Sequence, residues 1–549
     1  MPAVDWLRHY RRAWLRGDVV AALTTWALVV PQAIAYGQIA GLPPQAGLFA
    51  AFAGLLGYGL FGTCRQLIVS PTSSTAAISA AIVAPVALAD PERYAVASAA
   101  LALLVGVVLI GLGLLRMGFV SRFIAAGVQV GFMFGLGLTI IVGQLPKLLG
   151  VPSGDGDFFG QAAGLLGRLG DTNPWTAAIG LGSLAALLGL KRVAPAVPAA
   201  LAVVVAGIAL VALGDLTSRG VEVIGSVEGA FPVPAIPWLG WHDLLGLLPG
   251  AAAVAIIGYA ESATVAESMA NEHGYDVDPD HELRAVGIAN ILSGLFQGFI
   301  TGGGASQTAA NDRAGAHTQL VSLLVAGLTV VTAIALLPLF RDLPQAALGA
   351  VVISAVIGFL NLAAMERIRR LRRDSFVVAL VAMVAVLALG VLQGLIVAVV
   401  VSVGEFLIKT SRPSGSVLGR VPGTTAYVAL EHAPEARTEP GLLVYRLNAP
   451  LLFVNAKRLR NGIRDQIRDA DPPVRVVLLD LSFTPELDIE SVDVLASIHH
   501  ELGARGVALW LAGVRAGPLE MLVRSGLADT VGRAHLYRSV EDAAGDVSA

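Results

Sequence analysis

The sequence predicts a polytopic α-helical membrane protein with a small soluble α/β domain at its C-terminal end. Three observations predict it. Of 549 residues, 55% are hydrophobic and only 14% are charged, at a mean hydropathy of +0.73, whereas soluble domains carry nearer a quarter charged residues. Apolar windows of about 20 residues, long enough to cross a bilayer, recur from the first turn to Lys409. Beyond that point short apolar runs alternate with stretches of helical spacing, the pattern of a sheet covered by helices.

The windows begin near Val19, Ala46, Ser73, Ala95, Phe123, Trp175 and Pro198. After a polar stretch from Arg219 to Asp243 they resume near Leu247, Ala285, Ser306, Leu320, Gln345, Phe376 and Val391. That makes about fourteen spans, or twelve or thirteen if the nearly continuous second and last pairs merge. Basic residues test the count. Arg8, Arg11, Arg12 and Arg16 put the N-terminus in the cytoplasm by the positive-inside bias. Loops after even-numbered spans then hold Arg65, Arg116 with Arg122, Lys191 with Arg192, and the cluster Arg367, Arg369, Arg370, Arg372 and Arg373. Loops of the other parity hold only scattered basic residues. Two sets of about seven spans are expected to form an inverted repeat, because an odd number of spans flips the second copy.

The expected organisation is a cytoplasmic segment 1–17 and a transport region 18–411, with repeats about 18–215 and 243–411. A linker over 412–440 and a soluble domain over 441–549 follow. In that domain Leu442–Leu447, Val474–Asp480 and Val507–Leu511 read as strands, and Asn455–Arg468 and Ile489–Leu502 as helices. The Arg-rich start leads into a span too long for a cleaved signal, so the first span is expected to be retained.

Two stretches carry the chemistry. Ile68-Val-Ser-Pro-Thr-Ser-Ser-Thr75 and Thr301-Gly-Gly-Gly-Ala-Ser-Gln-Thr308 are small, polar and rich in Gly or Pro, yet lie inside membrane-apolar sequence. Unpaired backbone cannot face lipid and survives only where it lines a cavity. Interrupted segments at third place in each half point to the midplane site of a secondary transporter. Half-helices beginning near Ser73 and Ser306 would aim their N-termini at each other, each with about +0.5 of a charge and free N–H groups. Flanked by Thr72, Ser73, Ser74, Ser306, Gln307 and Thr308, they make an anion site without a fixed cation.

Glu261 lies deep in Ala251–Ser262, where an ionisable side chain is costly and therefore a functional candidate; proton binding is the expected role. Glu267, six residues on, falls on another face and reads as interfacial. Gln32 and Tyr36 are four apart on the first span and share a face able to complete a polar pocket or to pack helices. Asp18 reads as that span's N-cap. Asp276–Asp280 lacks the residues of a calcium loop, and neither His273 nor His281 has a ligand set. The single Cys64 excludes an internal disulfide. No nucleophile–base pair, no phosphate-cradling loop and no nucleic-acid-binding basic run is present. No cofactor and no enzyme activity are expected.

Pro31-Gln-Ala-Ile-Ala-Tyr-Gly-Gln-Ile-Ala-Gly-Leu-Pro-Pro44, Gly47-Leu48, Leu60-Phe-Gly-Thr-Cys-Arg65 and Ala314-Gly-Ala-His-Thr-Gln-Leu320 resemble the signatures of SulP (sulfate permease) anion transporters. Leu478-Leu-Asp-Leu-Ser482 and Leu487-Asp-Ile-Glu-Ser491 resemble a STAS domain. The resemblance implies two inverted seven-span repeats divided into core and gate, a homodimer, and a pocket between spans one, three, eight and ten. Carried onto this sequence, the pocket falls on Gln32, Tyr36, Thr72, Ser73, Glu261, Ser306 and Gln307. Many relatives have Arg where this chain has Gln307, so the helix dipoles become the main attraction for an anion. Ile489 and Glu490 stand where STAS relatives pair serines, with Ser491 displaced by one, so no phosphorylation switch is expected there.

The expected protein is an inner-membrane, multi-pass secondary transporter with both termini cytoplasmic. Its partners are a small anion, protons, the lipid bilayer, a second copy and an unidentified STAS ligand. Energetics favour proton symport, and the abundance of hydroxyls and the missing pocket Arg favour a carboxylate or dicarboxylate such as fumarate as its substrate. The alternatives are sulfate or bicarbonate transport, or an uncoupled exchanger or channel. A nucleobase permease would share the intramembrane Glu but not the STAS tail.

Overall fold

The computed structural model describes residues 6–87, 90–119, 125–154, 156–194, 197–225, 233–468 and 470–548. Arg122 and the expected span start at Phe123 lie outside them. The chain forms two compact units that divide within the last span, after Val403.

The first unit is a polytopic helical membrane domain of two inverted seven-span repeats. Its first repeat comprises Leu15–Ile39, Pro44–Phe61, Ser73–Ala87, Pro91–Leu114, Ala126–Leu149, Pro174–Val193 and Ala199–Gly214. The second comprises Trp241–His273, Pro279–Leu295, Ala305–Arg313, Leu320–Val331, Gln345–Val356, Arg373–Leu389 and Val391–Ser411. Among the described residues nine helices are long and apolar enough to cross a membrane alone. The third and tenth spans fall short because extended backbone completes each crossing: β1 (Val69–Ser70) precedes one half-helix and β2 (Gly302–Gly303) the other.

Local chemistry sets the ends. Pro44, Pro91 and Pro279 open their spans, where a missing N–H costs nothing. The carboxylate of Asp90 accepts from the amides of Glu92 and Arg93, and Asp278 from those of Asp280 and His281. Gly150 and Gly274 stop the fifth and eighth spans in the left-handed conformation that glycine tolerates.

Spans one to four pack with eight to eleven, and five and six with twelve and thirteen, giving core and gate. The fourth and ninth spans cross so closely that a Cβ on Gly106 would sit 2.6 Å from the Gly287 carbonyl oxygen. Large apolar side chains on the outer spans, such as Leu181, Val205, Leu210, Val377 and Val400, are exposed, as expected of a lipid-facing surface.

Asp18 corrects one expectation. It is not an N-cap: the turn Arg12–Trp14 starts the helix at Leu15, so Asp18 falls inside its first turn. Its buried carboxylate accepts from the amides of His317 (2.7 Å) and Thr318 (3.2 Å), from the Thr318 hydroxyl (2.8 Å) and from Tyr10 (3.1 Å). Asp18 thus ties the first span to the loop ahead of the eleventh.

The second unit carries a five-stranded sheet in the order β4-β3-β5-β6-β7. Its strands are β3 (Gly415–Arg420), β4 (Tyr427–Ala429), β5 (Leu442–Leu447), β6 (Val476–Asp480) and β7 (Ala508–Ala512). The last three are parallel, joined through Ala456–Arg468 and Ile489–Gly503 as right for βαβ units. The linker expectation for 412–440 is wrong in part. Its Gly- and Pro-containing sequence hides two short strands, because β3 gains its order from antiparallel pairing to β5 rather than from an apolar run of its own. Asp488 caps the helix at Ile489, and Ser491 is buried behind that cap.

Candidate anion site between the broken spans

The two broken stretches meet. β1 and β2 pair antiparallel, Val69 opposite Gly303 and Ser70 opposite Gly302, and the Gly304 amide donates to the Ile68 carbonyl (3.0 Å). Backbone groups that lipid would orphan thereby satisfy one another. The glycines permit the approach: a Cβ on Gly303 would lie 3.0 Å from both Leu67 Cδ1 and the Ser262 Cα. Ser262 Oγ accepts from the Gly303 amide (2.8 Å). Asn290, fully buried on the ninth span, accepts from the Thr301 amide (2.9 Å) and donates to its carbonyl (3.0 Å), acting as a surrogate strand.

From this crossing the half-helices start at Ser73 and Ala305, one residue from the expected Ser306. Their N-termini border a cavity of about 230 Å³. Tyr36, Thr72, Ser73, Glu261, Ser306 and Gln307 line it, with Ala355 and Phe359 on the gate side. Glu261 accepts from Ser74 Oγ (2.8 Å), and Ser74 in turn meets Thr72 Oγ1 (2.9 Å). The Gln307 amide is held at both ends: its Oε1 accepts from Ser70 (2.6 Å) and its Nε2 donates to Gln32 Oε1 (2.9 Å).

Three expected residues stand outside the cavity wall. Gln32 backs Gln307 and lines an adjoining cavity of about 350 Å³. Ser74 reaches the cavity only through its bond to Glu261. Thr308 accepts from the Ile68 amide (3.1 Å) and so holds the crossing. Ser70, Ser262 and Asn290 were not singled out in the sequence. Their signal was burial of a polar side chain in apolar surroundings, which Asn290 in the ninth span displays most openly.

The adjoining cavity shares Ser306 and Ala355 with the first and carries the cations the centre lacks. Lys191 Nζ, donating to the Ser354 carbonyl and hydroxyl at 3.0 and 2.8 Å, and Arg313 lie on its wall. Two helix N-termini, a ring of hydroxyls and a neutral amide suit an anion; a lone carboxylate beside them suits an exchangeable proton.

The sulfate permease family model matches residues 15–382, and the STAS domain model matches residues 433–543. The chain belongs to the sulfate permease family. A protein named "Probable sulfate transporter Rv1739c", from Mycobacterium tuberculosis, is 37% identical over 543 residues, covering 99% of this chain and 97% of that one. Solute carrier family 26 member 10 of Mus musculus is 30% identical over 99% of this chain and 85% of its own length. Among solved structures, the murine Slc26a9 anion transporter superposes with a TM-score of 0.91 at 24% identity, over 100% of this chain and 94% of that one. The transmembrane domain of a cyanobacterium bicarbonate transporter, BicA, gives 0.63 at 23% identity, over 71% and 98%. These superpositions establish a shared fold. The protein is thus a sulfate permease family membrane transporter with a C-terminal STAS domain.

Proposed function

We propose that this family member moves sulfate by alternating access, holding it between the half-helix N-termini at Ser73 and Ala305 and coupling its entry to protons through Glu261. The observation that carries the reading is the meeting of both N-termini and Glu261 in one cavity. Sulfate is favoured over the fumarate-like substrate because a relative 37% identical over nearly its whole length is named a sulfate transporter. Coupling answers an energetic need. Bringing a divalent anion inward against about 100 mV costs roughly 4.6 kcal/mol, and each accompanying proton offsets about 2.3 of it.

A carboxylate remains the second reading, because Gln307 presents an amide and not a guanidinium to the anion. The protein is read as an inner-membrane homodimer, as the family resemblance implies, with cytoplasmic termini, since its basic residues cluster in loops of one parity. Uptake of labelled sulfate, fumarate and bicarbonate into proteoliposomes, with and without an acid-outside gradient, tests both assignments. Sulfate uptake accelerated by the gradient is expected. Fumarate uptake without sulfate competition would overturn the substrate, and gradient-independent accumulation would overturn the coupling.

A further inference from the structure

A third cavity, of about 480 Å³, lies apart from the transport site among the segments that carry the basic, even-parity loops. Four separate pieces of chain build it. The N-terminal segment contributes Trp6, His9 and Trp14; the loop after the second span contributes Thr63 and Arg65. His281 comes from the start of the ninth span, and His317, Thr318 and Gln319 from the loop before the eleventh.

The walls are tied down. Trp14 stacks on the His317 ring, with centroids 5.8 Å apart and planes at 27°, and Arg11 lies over the Trp14 ring. Asp18 fixes the His317 and Thr318 amides, while Glu282 accepts from the Thr63 amide (2.9 Å) and its hydroxyl (2.5 Å). Both carboxylates are thus engaged behind the wall, and no carboxylate appears among the described lining residues.

Two buried polar atoms at this wall lack partners: Trp6 Nε1, a donor, and Gln319 Oε1, an acceptor. Gln319 is itself 2% exposed, and its Nε2 is held by the Cys64 and Leu67 carbonyls at 2.6 and 3.0 Å. Groups buried unpaired in this way are costly, because each gives up its hydrogen bonds to water without replacement. A ligand able to satisfy both must accept one hydrogen bond and donate another. A phosphate group near neutral pH does so, since its second ionisation lies near 6 and part of it keeps an O–H. Sulfate, fully ionised, has no proton to give Gln319.

We propose that this cavity is a regulatory phosphate-binding site, distinct from the transport site. Phosphate oxygens accept from the Arg65 guanidinium, Trp6 Nε1 and the imidazoles, and the phosphate O–H donates to Gln319 Oε1. The ligand has two sources of the same chemistry, a free phosphate compound or the headgroup of a phosphatidate lipid. Occupancy bridges the N-terminal segment to two loops and the start of the ninth span, and so adjusts how readily the core moves.

The test is calorimetric titration of inorganic phosphate into the full-length protein in phosphatidylcholine nanodiscs, with Trp6 and Trp14 fluorescence as a second readout. Saturable binding is expected, weakened by at least about tenfold in both Arg65→Gln and Trp6→Phe. Sulfate should not displace the phosphate, and Gln307→Ala should leave its affinity unchanged even if transport fails. Phosphatidate-containing discs separate the sources: exclusion of phosphate there assigns the site to the headgroup, and undiminished binding assigns it to free phosphate. Absence of saturable binding in phosphatidylcholine discs overturns the proposal. So does equal affinity in the folded Trp6→Phe variant, which keeps an aromatic ring without the N–H, or loss of binding in Gln307→Ala.

Discussion

In the proposed mechanism Glu261 and Gln307 divide the work at the cavity by charge. Among the described residues Glu261 accepts from the Ser74 hydroxyl, a donor that a neutral amide can also engage. Glu261→Gln therefore mimics the protonated side chain at little cost to folding. Proton-driven accumulation, worth roughly fiftyfold per proton at 100 mV, should disappear from this variant while sulfate exchange persists. Uptake with an imposed pH gradient checks it; undiminished gradient-driven uptake would remove Glu261 from the mechanism. Gln307→Arg adds a fixed cation where both helix N-termini already attract anions. It should tighten binding of a monovalent anion such as chloride by about tenfold. The same change removes the acceptor of the Ser70 hydroxyl, at about 1 kcal/mol, because a guanidinium accepts nothing. Equal chloride affinity by calorimetry would mean that this side chain does not face the anion.

At the scale of elements, the crossing of β1 and β2 is the part that must be both irregular and rigid. Asn290 carries much of it by pairing with both backbone groups of Thr301. Asn290→Ala leaves that buried amide and carbonyl orphaned, at about 1–3 kcal/mol each. Thermal unfolding in detergent should shift down and transport should slow, with the order of preferred anions unchanged. A variant as stable as the parent would show that water or a shifted side chain replaces the amide. The hydropathy of the spans and the hydroxyls flanking the break are local features, so the starts near Ser73 and Ser306 were legible in the sequence. Asn290 was not, because its partner is a peptide unit eleven residues on, across a turn that no hydropathy window describes. Thr308 was misplaced for a related reason: hydroxyls on one short helix point both to the cavity and to the Ile68 amide just ahead of β1, and spacing alone did not separate them.

For the whole molecule, the sheet of the second unit decides where the chain can be cut. β3 pairs with β5 from Gly415 to Leu418, so a fragment starting at Gly441 would expose the β5 edge and tend to aggregate. Removing residues 415–549 takes the sheet out intact. The remaining membrane protein should keep its anion selectivity and lose rate or expression, as binding competition and uptake in proteoliposomes would show. Altered selectivity in a folded truncation would place part of the specificity in the STAS domain. The complementary fragment from Gly415 should be soluble and unfold in one cooperative transition.

Hydropathy, loop charge and Gly/Pro punctuation by themselves determined the spans, their division into two halves and the two broken segments. These properties act over one turn or one bilayer thickness, so neighbouring residues suffice to express them. Strands β5 to β7 followed for the same reason, each an apolar run bounded by turn residues. Only the tertiary structure decided which distant groups answer each other. Asp18 looked like a helix cap and instead holds amides 299 and 300 residues further along. β3 looked like linker until β5 supplied its ladder, and Ser70 looked like part of the break until Gln307 accepted its hydroxyl. A hydrogen bond needs a donor and an acceptor within about 3 Å in space, and chain order carries no such distance.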